Sequence, residues 1–271
     1  MIFFSTKPST SNKKSTALGA AALLASFILL PQSASASLCY GNCGTLGPDG
    51  DVTSSPQGGT YDYVSTFGGV LGVPNLGIGS ETNGSVFQTD AFAALAGDSL
   101  EFYFNFVTSD GTSSFIEYSW ARLLNADLSE VALLFTARTN PDGTTVVPGI
   151  GLPPIEATIN PASALIIDGA TNWSPLGPSS GACFAGLGAG CGSTGWVQSL
   201  FDIAVAGNYI LEFGVTNWGD QAFDTGMAYD GITVAGIPID ADKPSGVPVP
   251  SSLALLGLGL AGLGWSRRKK V

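Results

Sequence analysis

The chain has 271 residues, 21 acidic against 10 basic side chains, 4 cysteines and no histidine, for a formal net charge of −11. Without imidazole there is no Ser-His or Cys-His nucleophile, and the commonest transition-metal ligand is missing. The acidic balance argues against nucleic acid and anionic lipid as partners and favours divalent cations.

At the front, Lys7, Lys13 and Lys14 precede an apolar run from Ala17 to Leu30, and Ala34-Ser35-Ala36 follows. That order is expected of a secretory signal peptide over residues 1–36 with an Ala-x-Ala cleavage site. The basic residues are concentrated at the two ends of the chain. Between them only Arg122, Arg138 and Lys243 stand against all 21 acids, so the exported part is strongly acidic, a property that suits solubility outside the cell. Residues 37–238 have the size of one domain with a real core.

Cys39, Cys43, Cys183 and Cys191 all fall in this exported part, where an oxidising compartment favours disulfides. Cys183 and Cys191 bracket the glycine-rich loop 184–190, and Cys39 and Cys43 can close a small ring near the mature N-terminus. Two local pairs are expected, although sequence leaves a long-range cross-link open. The spacings lack the Cys-x-x-Cys pattern of a zinc knuckle.

Between Cys39 and Pro244 no long stretch has helical periodicity, while glycine, threonine, serine, asparagine and proline punctuate short apolar runs. This predicts an all-β domain. In the run from Leu100 to Phe106, Leu100, Phe102, Phe104 and Phe106 share one face, opposite Glu101, Tyr103 and Asn105. From Tyr209 to Val215 the same alternation turns Tyr209, Leu211, Phe213 and Val215 inward and leaves Glu212, like Glu101, on the solvent face. Similar turns, Ala96-Gly97-Asp98 and Ala206-Gly207-Asn208, introduce the two runs and suggest equivalent strands in facing or successive parts of a sandwich. Phe115 to Leu124 and Val131 to Thr139 read as a hairpin around Asn125-Ala126-Asp127-Leu128-Ser129. The stretch from Thr144 to Pro161 reads as an extended loop with a short strand inside, and Met227 to Val234 as a strand interrupted at Asp230-Gly231. Many short strands with frequent turns and no blade-length repeat favour a β-sandwich of jelly-roll type over a barrel or propeller. It is expected to be flanked by the N-terminal signal helix and a C-terminal hydrophobic helix.

The chemistry on offer is limited. Asn217, Asp220 and Asp224, with Asp230 on the next strand, offer the oxygen ligands that calcium prefers, but their register is not that of an EF-hand, and Asx residues also serve turns. Trp173, Trp196 and Trp218 sit beside loops or strand ends, where an indole can stack on a sugar ring or pack into the core. Glu101, Glu117, Glu156 and Glu212 are the conceivable members of a glycosidase pair, which needs only two acids across a cleft. No catalytic residue and no cofactor is expected, a structural calcium at Asn217, Asp220, Asp224 and Asp230 being the one candidate against turn chemistry.

The tail closes the chain. Residues 239–250 form a polar, proline-bearing linker ending in Pro248-Val249-Pro250, and an apolar run from Leu253 to Trp265 leads to Arg267-Arg268-Lys269-Lys270. As a helix that run spans roughly 20 Å, short of the roughly 30 Å hydrocarbon core, so anchoring in the membrane through residues 251–271 is expected to be transient. The four cations hold the extreme C-terminus on the cytoplasmic side. The order of proline motif, short apolar helix and basic cluster resembles the PEP-CTERM sorting signal of Gram-negative bacteria, with Val249 in place of the family's central glutamate. The ordered segments 119–124, 132–138, 173–177, 195–198 and 211–218 likewise resemble a recurring family of exported PEP-CTERM proteins. The resemblance implies processing by an exosortase-type enzyme after secretion. It also implies exposure at the cell surface or in the extracellular matrix, often alongside exopolysaccharide. The expected function is a non-enzymatic structural or adhesion role. The alternative is a carbohydrate-binding module that recognises exopolysaccharide, with or without calcium.

Overall fold

Period-two alternation of large apolar residues sets the frame, and the computed structural model describes it for residues 37–184 and 190–239. The predicted signal peptide and the tail from residue 240 onward lie outside the described residues. In chain order the strands begin with β1 (Leu38–Tyr40), β2 (Asn42–Leu46), β3 (Tyr61–Ser65), β4 (Val70–Leu71), β5 (Glu81–Gln88) and β6 (Phe92–Ala94). They continue with β7 (Ser99–Thr108), β8 (Tyr118–Asn125), β9 (Glu130–Arg138), β10 (Thr158–Asn160) and β11 (Ile167–Asp168). A short 3-10 helix, Ser174–Ser179, precedes β12 (Gly192–Ser193), β13 (Val197–Asp202), β14 (Gly207–Trp218), β15 (Thr225–Val234) and β16 (Ile237–Pro238).

The strands form two antiparallel sheets. The first runs β1-β5-β14-β8-β9, and the second runs β10-β13-β7-β15-β3-β2, with the remaining short strands on their flanks. Counted along the chain, the framework strands β3, β5, β7, β8, β9, β13, β14 and β15 pair first with last: β3 with β15, β5 with β14, β7 with β13 and β8 with β9. That is one long antiparallel hairpin rolled on itself, the jelly roll. β7 and β14, which share the Ala-Gly-polar turn, lie on facing sheets and meet through Phe102 and Phe213, whose rings cross edge to face at 5.2 Å.

The inward sets are as the alternation predicts. Leu100, Phe102, Phe104 and Phe106 of β7 and Tyr209, Leu211, Phe213 and Val215 of β14 are all buried in one cluster. Phe104 stacks on Phe135 at 3.7 Å and Phe213 on Tyr229 at 3.9 Å. The interruption in β15 is a bulge, with the register to β7 shifting between Asp230 and Thr233. Both disulfides are the local pairs, Cys39–Cys43 and Cys183–Cys191. Cys39 is on β1 of the first sheet and Cys43 on β2 of the second, so this bond clasps the two sheets along one edge. Gly41 turns the corner between them at φ +83°, a conformation only glycine adopts without strain.

The outer faces do not follow the sequence expectation. Glu212 is fully buried rather than solvent-facing. The first sheet's outer face carries its own apolar layer, in which Val73, Leu76 and Ile78 before β5 and Leu152 and Ile155 after β9 pack on Trp120, Tyr118 and Leu133. On the second sheet, Trp173 and Leu176 at the 3-10 helix pack with Val52, Tyr61, Val107 and Ala228. Each layer has a tryptophan against a strand glycine. A Cβ on Gly214 would meet the Trp120 ring at 2.1 Å, and one on Gly226 would meet the Trp173 ring at 2.5 Å.

Candidate functional site

The residues named for calcium do not converge. Asp224, buried, accepts from Ser179 at 3.0 Å and Thr66 at 3.2 Å, and burial raises its carboxyl above the usual range. Asp220 accepts from the Ala222 amide at 3.0 Å, the self-contained turn that Asx residues favour. Asp230, on β15, lies six positions beyond Asp224, which immediately precedes that strand, about 20 Å at the strand rise, and is bonded to Ser55. Asn217 alone points into the interior. Among the described residues no three of His, Cys, Asp and Glu gather as a metal cluster.

The interior around Asn217 changes character. The inner-face rows that are phenylalanine and valine in mid-sandwich become Thr108 on β7, Thr225 on β15, Ser119 on β8 and Asn217 on β14, with Glu117 and Thr139 just beyond β8 and β9, all buried. Thr108 and Thr225 share a hydrogen bond of 2.8 Å. The Thr139 hydroxyl lies 3.3 Å from that of Thr108 and 3.4 Å from Glu117 Oε2. Asn217 Nδ2 donates to Asn83 Oδ1 at 3.1 Å. Burial, reinforced by the charge of Asp110, raises the Glu117 carboxyl well above its ordinary range, and burial pushes Asp110 up to about 6. Three loops meet at this end through Phe115, Phe184 and Phe223, whose rings are 5.7 and 5.0 Å apart in succession.

The tryptophans divide. Trp173 is core, with its Nε1 donating to Tyr61 at 2.9 Å. Trp218 is half-buried, with the Arg138 guanidinium 4.6 Å from its ring. Arg138 donates to the carbonyls of Ile116 at 3.0 Å and Ile150 at 3.3 Å, and burial lowers its pKa. Trp196 is half-buried on the outer face of the second sheet, packed against Tyr61 and tied to the Thr53 carbonyl at 3.1 Å. Beside it lies a row that sequence reasoning missed: Gln198, Tyr103 and Asp230 face one another across β13, β7 and β15. Gln198 donates to Glu101 at 2.6 Å and to Tyr103 at 3.3 Å. All of these side chains are partly open to solvent. The signal lay in cross-strand register, which a single strand's pattern does not carry.

The glutamates named for hydrolysis stand apart. Glu212 is ion-paired with Arg122 at 2.6 Å and accepts from Gln88 at 2.8 Å and Trp120 at 3.1 Å. Glu117 is interior, Glu101 is bonded to Gln198 on the outer face, and Glu156 is exposed in the loop after β9.

Residues 246–269 match the model of the PEP-CTERM protein-sorting motif. This stretch contains Pro248, Val249, Pro250 and the basic run Arg267 to Lys269. The motif implies exosortase processing and an exported, cell-envelope protein. Among the described residues no helix is long and apolar enough to cross a membrane. No curated protein matches the chain.

Proposed function

We propose that this chain, which carries a PEP-CTERM sorting motif, delivers a non-enzymatic jelly-roll domain to the cell surface or extracellular matrix, where it has a structural or adhesive role. The observation that carries this reading is the union of the sorting motif with a disulfide-clasped sandwich whose outer faces are largely covered by its own loops. Such a domain presents a stable acidic exterior, and of the four glutamates considered for hydrolysis it commits Glu212 to an ion pair, Glu101 to a hydrogen bond and Glu117 to the interior, leaving Glu156 exposed. The leader at residues 1–36 and transient anchoring by residues 251–271 are part of the same reading. Intact mass spectrometry of the protein recovered from the cell envelope tests it. The expected mass lacks the leader and the residues after Pro250 and corresponds to two closed disulfides. A mass that keeps the basic end overturns the sorting step, and cells lacking the protein that attach and hold their matrix as before overturn the structural role.

A second reading is favoured by the outer face of the second sheet. Tyr103, Trp196, Gln198, Glu101 and Asp230 combine aromatic surface with hydrogen-bonding groups in the way sugar-binding faces do. In this reading the domain binds exopolysaccharide of the surrounding matrix. A glycan array run with and without calcium tests it. Binding that Trp196→Ala and Tyr103→Ala abolish supports the reading, and the absence of binding to every glycan removes it.

A further inference from the structure

Among the described residues, three fully buried oxygens at the polar end of the sandwich have no hydrogen-bond partner: Glu117 Oε1, Ser119 Oγ and Asn217 Oδ1. Glu117, just before β8, and Asn217 of β14 each lie one position beyond the register pair Tyr118↔Thr216, are fully buried, and continue the alternation that turns Ala121 and Leu123 of β8 and Phe213 and Val215 of β14 inward. Ser119 is the next inward residue on the strand of Glu117. While Glu117 is ionised, its carboxylate and the Asn217 amide oxygen are both acceptors and cannot satisfy each other. Leaving them unpaired in an interior is among the costliest arrangements a fold can hold. Burial without a counter-ion raises the carboxyl well above its ordinary range, so a cation competes with a proton for this position.

Arg138, the nearest cation, does not resolve this. It projects to the opposite face of the sheet with Tyr118 and donates to the Ile116 and Ile150 carbonyls; its charge acts on Glu117 from there, but it forms no ion pair with it and its own Nη2 is left without a partner among the described residues. A bound cation would resolve it, because a cation takes lone pairs from all three oxygens and neutralises the carboxylate.

We propose that Glu117, Asn217 and Ser119 form a buried site for a divalent cation of the calcium class, with the hydroxyls of Thr108 and Thr139 completing an all-oxygen surround. Calcium accepts a mixture of carboxylate, amide and hydroxyl oxygens in irregular geometry, whereas magnesium keeps several waters, for which fully buried oxygens leave little room. Zinc and copper are disfavoured because histidine is absent from the chain and every cysteine is in a disulfide. Asp110 and Asp220, both close enough to act on the Glu117 charge, add a negative field around the site. Its role is structural: it joins β8 and β14 at the end of the sandwich where apolar packing stops.

Thermal unfolding of the full chain, stripped with EGTA and then given calcium, magnesium or sodium chloride at equal ionic strength, tests the site. Calcium at about a hundredfold above its Kd should raise Tm by roughly 5–10 °C. Glu117→Gln keeps the shape and removes the charge, so it should abolish the calcium-dependent rise while unfolding in EGTA at or above the parent Tm. Asn217→Asp adds a carboxylate and should lower Tm in EGTA and enlarge the rise. Glu156→Gln, exposed and remote in the fold, should keep the parent response. A Tm that calcium leaves unmoved, a rise that survives Glu117→Gln, or an equal rise with sodium overturns the site. Should the variants fail to fold, calcium retained by the parent protein after dialysis decides, with one equivalent supporting the site and none removing it.

Discussion

Arg122 holds two carboxylates that differ in almost everything but charge. Its Nη1 reaches Glu130 at 3.2 Å, where the acid is 47% exposed, and its Nε reaches Glu212 at 2.6 Å, where the acid is 1% exposed. Water screens the first pair and side-chain entropy opposes it, so Glu130→Ala should cost at most about 1 kcal/mol. The second pair has given up its hydration, and Glu212→Ala strands a nearly buried guanidinium together with the Trp120 and Gln88 donors. That loss should be about 3–5 kcal/mol, read as a shift in urea midpoint with an unchanged slope. Glu81 shows the opposite balance of burial and bonding. Desolvation pushes its pKa up, but hydrogen bonds from Tyr118 and from the Ile78 and Gly79 amides, each 2.8 Å, outweigh it and hold the pKa below the ordinary value. A folded-state pKa below the unfolded one stabilises the fold above the unfolded value, and that contribution disappears as pH falls through the folded pKa. Parent and Glu81→Gln should therefore differ most near neutrality and converge as the buffer is acidified below about pH 4; a constant difference at every pH would refute the linkage.

At the level of strands, what a sequence shows depends on how local the cause is. The β7 and β14 runs, the β8–β9 hairpin, the bulge at Asp230-Gly231 and both disulfides were legible because each is set by period-two alternation or by residues near in sequence. β5 was not, since its inner row ends in Asn83 and Ser85, which read as a loop and belong to the polar end of the core. The burial of Glu212 was not legible either, because its partners Gln88, Trp120 and Arg122 come from the neighbouring strands β5 and β8, far off in sequence. Glu117 could have been singled out by extending the alternation of Ala121 and Ser119 one step back, but only the structure shows Asn217 beside it. The tryptophan-on-glycine contacts seat the indoles on the sheets, Trp120 of β8 over its cross-strand neighbour Gly214 and Trp173 of the covering segment over Gly226. Gly214 has a strand conformation open to any residue, so its substitution costs through the Trp120 ring alone. Gly214→Ala should therefore destabilise by about 1–3 kcal/mol through displacement of a buried indole. Near-UV circular dichroism should report the moved tryptophan even where the far-UV spectrum is unchanged, and an unperturbed near-UV signal would show that the ring shifts freely.

Across the whole molecule, the jelly-roll pairing of first strand with last makes the sandwich one cooperative object, and its charge acts on that object as a whole. Among the described residues the only cations are Arg122, already engaged by Glu212 and Glu130, and Arg138, buried under Tyr118 and Trp218. The exterior is therefore acidic without interspersed positive charge, and compaction brings those acids closer together than they are in the unfolded chain. Monovalent salt shortens the Debye length from about 30 Å at 0.01 M to about 10 Å at 0.1 M, which weakens repulsion spread over the surface but barely touches the Arg122–Glu212 pair inside it. Sodium chloride should accordingly raise Tm over this range and level off by about 0.5 M, the reverse of a fold held together by surface ion pairs. The rise should persist in Glu117→Gln, because it belongs to the exterior. A Tm that falls with salt would mean that attraction between local charge pairs outweighs the general repulsion, and the acidic shell would then no longer be the dominant electrostatic feature of the fold.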